Sequence, residues 1–359
     1  MNKVLKQVLG VDVDQRNLVI TLGRLTHCLS VELYAHEIFP NNHDGFKSLL
    51  KWTQSKIDQT ISFQVVMEAT GVYHQKFAYF LDDRNICLSI VLPNKMSNYM
   101  RTLEIKTITD KTSSQAICRF GLERKLDAWV RPKEIFRKLQ QLTRERSQII
   151  DERTVAKNQL HAENAEIEPN KGTIRRLKAR IKLFDKHIAE IENEIDDYLK
   201  KDNQLNKRIR RITTPPGVGK ITAVIALAET NGFELIRNRR QLASYAGFDV
   251  KEKLSGTSVK GKSRISKKGN KYLRKAMYFP AMTAINYNQS YGDLYDRIVD
   301  RTGIKMKGMV AVQRKLLELI YTLDKNEIDF DPEYENSVSV KKTTHAIQTG
   351  SKAVLVEQI

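Results

Sequence analysis

The run VLGVDVDQRNLVITL, residues 8–22, decides how the first third of the chain folds. Val8 to Val13 and Asn17 to Leu22 are dominated by β-branched and aliphatic residues. The polar residues Asp14, Gln15 and Arg16 separate them, so the pattern predicts two strands joined by a short turn. A third extended run lies between Thr26 and Phe39, which completes a three-stranded meander. Beyond it the pattern predicts a helix over Gly45 to Lys56, a strand over Phe63 to Met67, a helix over Val72 to Leu81 and a strand over Ile86 to Leu92. A meander followed by alternating helices and strands implies a mixed sheet with helices packed on it.

Acids fall at telling places in that pattern. Asp12 lies inside an apolar strand between Val11 and Val13, where an unpaired carboxylate is costly to bury. Glu68 ends the fourth strand in VVMEATG, and Asp110 opens a helix to Phe120 in KTITDKTSSQA. The element order is that of the ribonuclease H fold, whose first and fourth strands are parallel neighbours, so Asp12 and Glu68 are expected side by side. Three carboxylates at one sheet edge suit magnesium, which prefers oxygen ligands and keeps waters for substrate phosphates. Each acid also has a plainer reading: Asp12 as a turn cap, Glu68 paired with a lysine, Asp110 as a helix N-cap.

The chain has 359 residues, enough for two or three domains, and 41% hydrophobic content supplies their cores. A formal net charge of +19 and a pI near 9.7 exceed what an ordinary metabolic enzyme carries. They point to nucleic acid or an anionic membrane surface. No apolar run approaches the roughly 20 residues of a membrane span, and no signal-peptide pattern opens the chain, so a cytoplasmic protein is expected. Cys28, Cys87 and Cys118 fit neither a disulfide framework nor a zinc cluster and read as reduced, mostly buried thiols.

From Pro132 to Leu205 the chain reads as long, charged helix. Ile174, Leu177, Ile181, Phe184, Ile188, Ile191, Ile195 and Tyr198 alternate spacings of three and four, an a/d seam. With a turn at 168–172, this predicts a coiled-coil hairpin, suited to internal packing or to dimerisation. The next segment, ITTPPGVGKITAVIALAETNGF, holds Gly217, Gly219 and Lys220 but lacks the spacing of a nucleotide-binding loop. It reads instead as a helix-hairpin-helix-like turn whose backbone N–H groups meet a nucleic-acid phosphate. Helices are expected over Arg240 to Gly247, Lys271 to Asn286, Tyr291 to Thr302 and Lys305 to Leu323.

The most basic stretch is KEKLSGTSVKGKSRISKKGNKYLRK, residues 251–275. Lys260, Lys262, Arg264, Lys267, Lys268, Lys271 and Arg274 belong to a field of ten cations against the single acid Glu252. Glycines let its backbone approach phosphate closely. The hydroxyls of Ser255, Thr257, Ser258, Ser263 and Ser266 are phosphate contacts or candidate nucleophiles. A solvated loop that only holds nucleic acid is the plainer reading.

GVDVDQ, VMEATGVYH and TDKTSSQAICRFG resemble the acidic motifs of the DEDD-type transposases of the insertion-sequence one-ten family. TPPGVGKITAVIALAE, LASYAGF, KLSG and ISKKGNKYLRKA resemble the C-terminal transposase domain of the same proteins. Motif order and spacing extend the resemblance to about Leu323. It implies a RuvC-like DEDD domain over 1–130, a coiled-coil linker over 131–206, and a mainly helical C-terminal domain with a nucleophilic serine over 207–328. A disordered tail is expected over 329–359. The resemblance further implies a DNA recombinase that works as a dimer or tetramer with a structured bridge RNA, and kinship to Piv-type DNA invertases. By position the acids are Asp12, Glu68 and Asp110, and the serine is Ser255, with Ser258 as the fallback. The fourth acid falls on Ser113, whose neutral hydroxyl is an acceptable but weaker magnesium ligand. The rival expectations are a metal-dependent RuvC-like nuclease or junction resolvase, and a non-catalytic nucleic-acid-binding protein.

Overall fold

The computed structural model describes residues 3–103, 105, 107–251, 254–255, 259–260 and 264–332. The first of its two units, Met1–Arg131, is built on a five-stranded sheet. Strands β1 (Val4–Val13), β2 (Asn17–Thr26) and β3 (Val31–Pro40) form an antiparallel meander. Helix α1 (His43–Gln54) then crosses to β4 (Phe63–Glu68), and α2 (Gln75–Asp82) crosses to β5 (Leu88–Val91). Helices α3 (Pro93–Thr102) and α4 (Asp110–Glu123) close the unit. The strand order is β3-β2-β1-β4-β5, with β4 parallel to β1 and β5 parallel to β4, as the ribonuclease H element order requires.

Period-two alternation splits the strand side chains between two cores. Leu9, Val11, Val13, Val65 and Met67 pack with Phe46 and Leu49 of α1 and Phe77, Phe80 and Leu81 of α2. Val8, Val66 and Val91 pack on the other side with Met96 and Tyr99 of α3 and Ile117, Cys118 and Leu122 of α4. The sheet is therefore a middle layer. Helix α4 lies on it closer than side chains allow: a Cβ added at Gly10 would stand 2.3 Å from the Cys118 nitrogen and 2.5 Å from the Ser114 carbonyl oxygen. From the helix side, a Cβ on Gly121 would already meet one atom each of Val66 and Val8 at 2.8 Å.

The second unit, Pro132–Ile359, begins with two 31-residue helices, α5 (Glu134–Asn164) and α6 (Lys171–Lys201). Arg146 pairs with Glu192 at 2.6 Å and Arg153 with Asp185 at 2.5 Å. A step of seven up one helix thus matches seven down the other, which fixes an antiparallel hairpin. The predicted seam lies on one face: Leu177, Ile188, Ile191 and Ile195 are buried and the rest half-buried.

Helices α7 (Asn203–Ile212), α8 (Lys220–Glu229) and α9 (Arg239–Ala246) follow. Then come four two-residue strands, β6 (Val250–Lys251), β7 (Leu254–Ser255), β8 (Val259–Lys260) and β9 (Arg264–Ile265). They form two separate two-stranded sheets, β6 with β9 and β7 with β8. The chain continues through α10 (Lys271–Ala276), α11 (Tyr278–Tyr287), α12 (Gln289–Thr302) and α13 (Lys305–Asn326). The base of the hairpin, with Phe136, Leu139, Ile191 and Ile195, shares one core with Ile209, Leu227, Leu242, Leu273, Leu316 and Ile320 of the later helices.

Three expectations change. The single helix over Lys271 to Asn286 is broken at Met277, because Pro280 supplies no N–H to continue the ladder and instead sits in the first turn of α11. The helix expected from Val72 starts at Gln75, since a turn with Gly71 at φ +50° takes up the residues before it. Of the three cysteines only Cys118 is buried; Cys28 sits in the turn after β2 and Cys87 in the loop before β5, and both are exposed. Residues 333–359 of the expected tail lie outside the described residues.

Replacing Gly10 by Ala should destabilise the first unit by about 3 kcal/mol, because the added methyl meets helix backbone that has no rotamer to yield. Urea unfolding of Gly10→Ala beside the parent measures this. Equal midpoints and slopes would mean that α4 does not rest on β1.

Candidate acidic site and nucleic-acid interface

Strands β1 and β4 pair with Val11 opposite Met67, so Asp12 and Glu68, each one residue further, share the same end of neighbouring strands. Alternation puts both on the face that carries Val8 and Val66, the face covered by α4. That helix runs against the strand direction, with Gly121 over Val8 and Val66, and Ser114 and Cys118 over Gly10. From Gly10 to Asp12 the strand advances roughly 6.6 Å, and one helical turn back from Ser114 to Asp110 is roughly 6 Å. The start of α4 therefore reaches the end of β1, and Asp110 comes to Asp12.

The plainer roles for the acids are filled by other residues. The turn after β1 is capped by Asp14, whose Oδ1 accepts from the Arg16 and Asn17 amides, the latter at 2.9 Å. The N-cap of α4 is Thr109, in a capping box with Thr112: Thr109 Oγ1 accepts from the Thr112 amide and Thr112 Oγ1 from the Thr109 amide. Among the described residues no ion pair includes Asp12, Glu68 or Asp110.

Electrostatics records their proximity. Burial pushes the Asp12 carboxyl up to about 6, and the negative charges of Asp110 and Glu68 add to the rise, against a hydrogen bond from the Val13 amide. Burial also raises Glu68. The donor chemistry fits a hard divalent cation: three carboxylates come together at this end, and the charges of Asp110 and Glu68 disfavour ionisation of Asp12. Among the described residues no three His, Cys, Asp or Glu side chains stand in a ligating arrangement. Ser113 is half-buried one turn from Asp110, whereas Ser114 is buried and committed, hydrogen-bonded to Thr21 Oγ1 at 2.8 Å and to the Lys111 carbonyl at 2.9 Å.

The basic stretch divides by what its cations touch. Arg264, Lys267, Lys268 and Lys271 are exposed. Arg274 donates to the Ala246 carbonyl at 2.7 Å, and Lys220 pairs with Asp196 of α6 at 2.5 Å, so both are partly committed to the fold. Gly217, at φ +84°, lies against Pro280 and Thr283 of α11, while Gly219 is the N-cap of α8 and faces open space. Ser255 and Lys260 are placed by backbone only, in β7 and β8; Lys262, Gly256 and Ser258 lie outside the described residues. Sequence reasoning overlooked Glu229, a fully buried carboxylate at the end of α8 held by Arg144 and Asn270. Its signal was the one that flagged Asp12, an acid inside an apolar run, KITAVIALAE.

The raised Asp12 carboxyl has a signed consequence. Its charged form is disfavoured in the folded chain, so the cost is full above pH 6 and vanishes below the unfolded value of 3.8. In chelator at pH 8, Asp12→Asn should be more stable than the parent, on the order of 1 kcal/mol after solvent screening of a half-exposed group. The two melting curves should converge below about pH 4. A less stable Asp12→Asn protein at pH 8 would show that the three acids do not repel.

Two family models match the chain in order: a DEDD-type IS110 transposase model over residues 26–164, and one described as Transposase IS116/IS110/IS902 family over residues 209–296. The pilin gene-inverting protein of Moraxella bovis is 27% identical over 82% of this chain and 89% of its own length. That of Moraxella lacunata is 27% identical over 91% and 98%. A protein of insertion element IS110 from Streptomyces coelicolor is 29% identical over 31% of this chain and 27% of its own. Among solved structures, T. thermophilus RuvC in complex with a Holliday junction substrate overlaps 34% of this chain and 99% of its own at TM-score 0.27 and 7% identity. With both transposase models matched in sequence order on one chain, this protein belongs to the IS110 family of transposases.

Proposed function

We propose that the protein cuts and rejoins DNA through a covalent phosphoserine on Ser255, with magnesium held by Asp12, Glu68, Asp110 and Ser113. The observation that carries this reading is the electrostatic nearness of Asp110 and Glu68 to Asp12, three acids with no ion pair among the described residues, at one end of a ribonuclease H-ordered sheet in a family of transposases. Magnesium bound there supplies Lewis-acid polarisation of phosphate oxygens. Ser255 Oγ attacks phosphorus, the bond to the leaving sugar oxygen breaks, and that oxygen departs as a hydroxyl with the proton. A second strand's hydroxyl then attacks the phosphoserine and frees Ser255. One ester replaces another at each step, so no ATP is consumed.

Lys260, Lys262, Arg264, Lys267, Lys268 and Lys271 neutralise the scissile phosphates, while Gly217, Gly219 and Lys220 at the start of α8 hold a neighbouring phosphate. The inversion of a pilin gene named for the two Moraxella relatives supports site-specific recombination. Recognition of the sites falls to a structured bridge RNA, and the complex works in the cytoplasm. It assembles as a dimer or tetramer. Because α5 and α6 spend their seam on each other, assembly through the hairpin uses what the seam leaves exposed, such as Val155 and Leu183.

Two experiments test this. The parent protein should leave a denaturant-stable adduct on DNA carrying the ends of its element, and Ser255→Ala should lose it while binding DNA within about twofold, because one hydroxyl is small beside ten cations. Cutting without an adduct would favour the RuvC-like nuclease, and neither cutting nor adduct the non-catalytic binder. Separately, Ser113→Asp should shift the magnesium titration of activity to several-fold lower concentration, and Asp110→Ala should be inactive throughout. Superimposable titrations would put Ser113 outside the metal shell.

A further inference from the structure

Glu229 is out of reach of solvent, its side chain 0% exposed, yet it carries four side-chain hydrogen bonds. Arg144 of α5 donates to both oxygens, at 2.7 and 2.8 Å, and Gln140 donates at 3.2 Å. Asn270 gives the shortest bond, Nδ2 to Oε2 at 2.6 Å. The hydroxyl of Tyr245 in α9 adds a bond to the Glu229 carbonyl at 2.7 Å. One residue thus joins the hairpin arm, α8, α9 and the start of α10.

Asn270 is where this matters. Its Oδ1 caps α10 by accepting from the Leu273 amide at 2.9 Å, and its own amide donates to the Tyr245 carbonyl at 2.7 Å. Just before it, the Ser266 amide bonds Asp249 and the Lys267 amide bonds Gly247, closing the base of the ribbon that β6 and β9 begin. Between β6 and β9 in the chain lies β7, which holds Ser255 and pairs with β8.

Burying the Glu229 carboxylate against a half-exposed arginine costs desolvation that its ion pair need not repay, so stability alone does not account for it, whereas its four bonds fix the geometry of the groups around it. We propose that Glu229 is a positioning residue: gripped by Arg144 and Gln140, it holds Asn270, and through it the ribbon base, in the orientation that strand transfer by Ser255 requires. This rests on the serine reading above. A matched pair elsewhere in the same unit provides the control. Asp324, 3% exposed, takes bonds from Arg208 at 2.8 and 2.7 Å, but it joins α7 to α13 and touches neither Asn270 nor the ribbon base.

The test compares Asn270→Ser, Glu229→Gln and Asp324→Asn in the full chain. Serine keeps the cap of α10 and removes only the amide that reaches Glu229. Asn270→Ser and Glu229→Gln should slow adduct formation at saturating DNA at least about tenfold, the effect of small misplacements at a reacting centre, with DNA affinity unchanged. Asp324→Asn should lower the melting temperature as much as Glu229→Gln and leave the adduct rate alone. Amide exchange at Ser266 and Lys267 should rise in Asn270→Ser and not in Asp324→Asn. Adduct rates that fall in proportion to lost stability in all three variants, or unchanged exchange in Asn270→Ser, would overturn the proposal. A parent protein that forms no adduct overturns the serine reading instead, and the exchange pattern then decides the role of Glu229 by itself.

Discussion

The distance between α4 and β1 governs the acidic end of the sheet. Helix backbone touches strand backbone at Gly10, where any side chain would collide with Ser114 and Cys118. That contact fixes both the depth and the phase of the helix, and phase decides where Asp110 goes. Ser114 sits over Gly10, so Asp110, one turn earlier, meets Asp12, and Ser113 follows on an adjacent face. Were the helix a side chain further out, Asp110 would lie apart from Asp12, and its charge would no longer add to the rise of the Asp12 carboxyl.

The same logic explains why the acids stay available. Three carboxylates gathered where β1 and β4 end and α4 begins repel one another, and the usual remedy is a lysine or arginine. None is supplied among the described residues, in a chain with 61 basic side chains to choose from. The local structural duties are assigned to neighbours, the turn to Asp14 and the helix cap to Thr109. The second unit treats its buried acids in the opposite way. Glu229 and Asp324 are each clamped by an arginine fork, as expected of groups that hold geometry and do not exchange ligands.

The sheet and its acids were legible in the sequence because each rests on a local pattern: period-two alternation for β1 and β4, and an isolated acid in an apolar run for Asp12 and Glu68. Ribonuclease H order followed from the succession of elements. What was not legible depends on residues distant in the chain. That Gly10 is a seat for α4 requires knowing that residues 114 and 118 arrive above it. That Glu229 is a hub requires Arg144, 85 positions away, and Asn270, 41 positions away. The break at Met277 was locally readable, since Pro280 stands in the sequence, but apolar residues run on past it from Leu273 to Ile285 and masked it. The cysteines were misjudged because burial there is set by loop position and not by residue type.

The central claim is that Asp12, Glu68 and Asp110 form one divalent-cation site. Electron paramagnetic resonance of manganese titrated into the full chain tests it without any requirement for DNA, RNA or turnover. Tight binding should be present in the parent and in Ser255→Ala, and lost in Asp12→Asn and in Asp110→Ala. Tight manganese binding that survives Asp12→Asn undiminished would contradict the account.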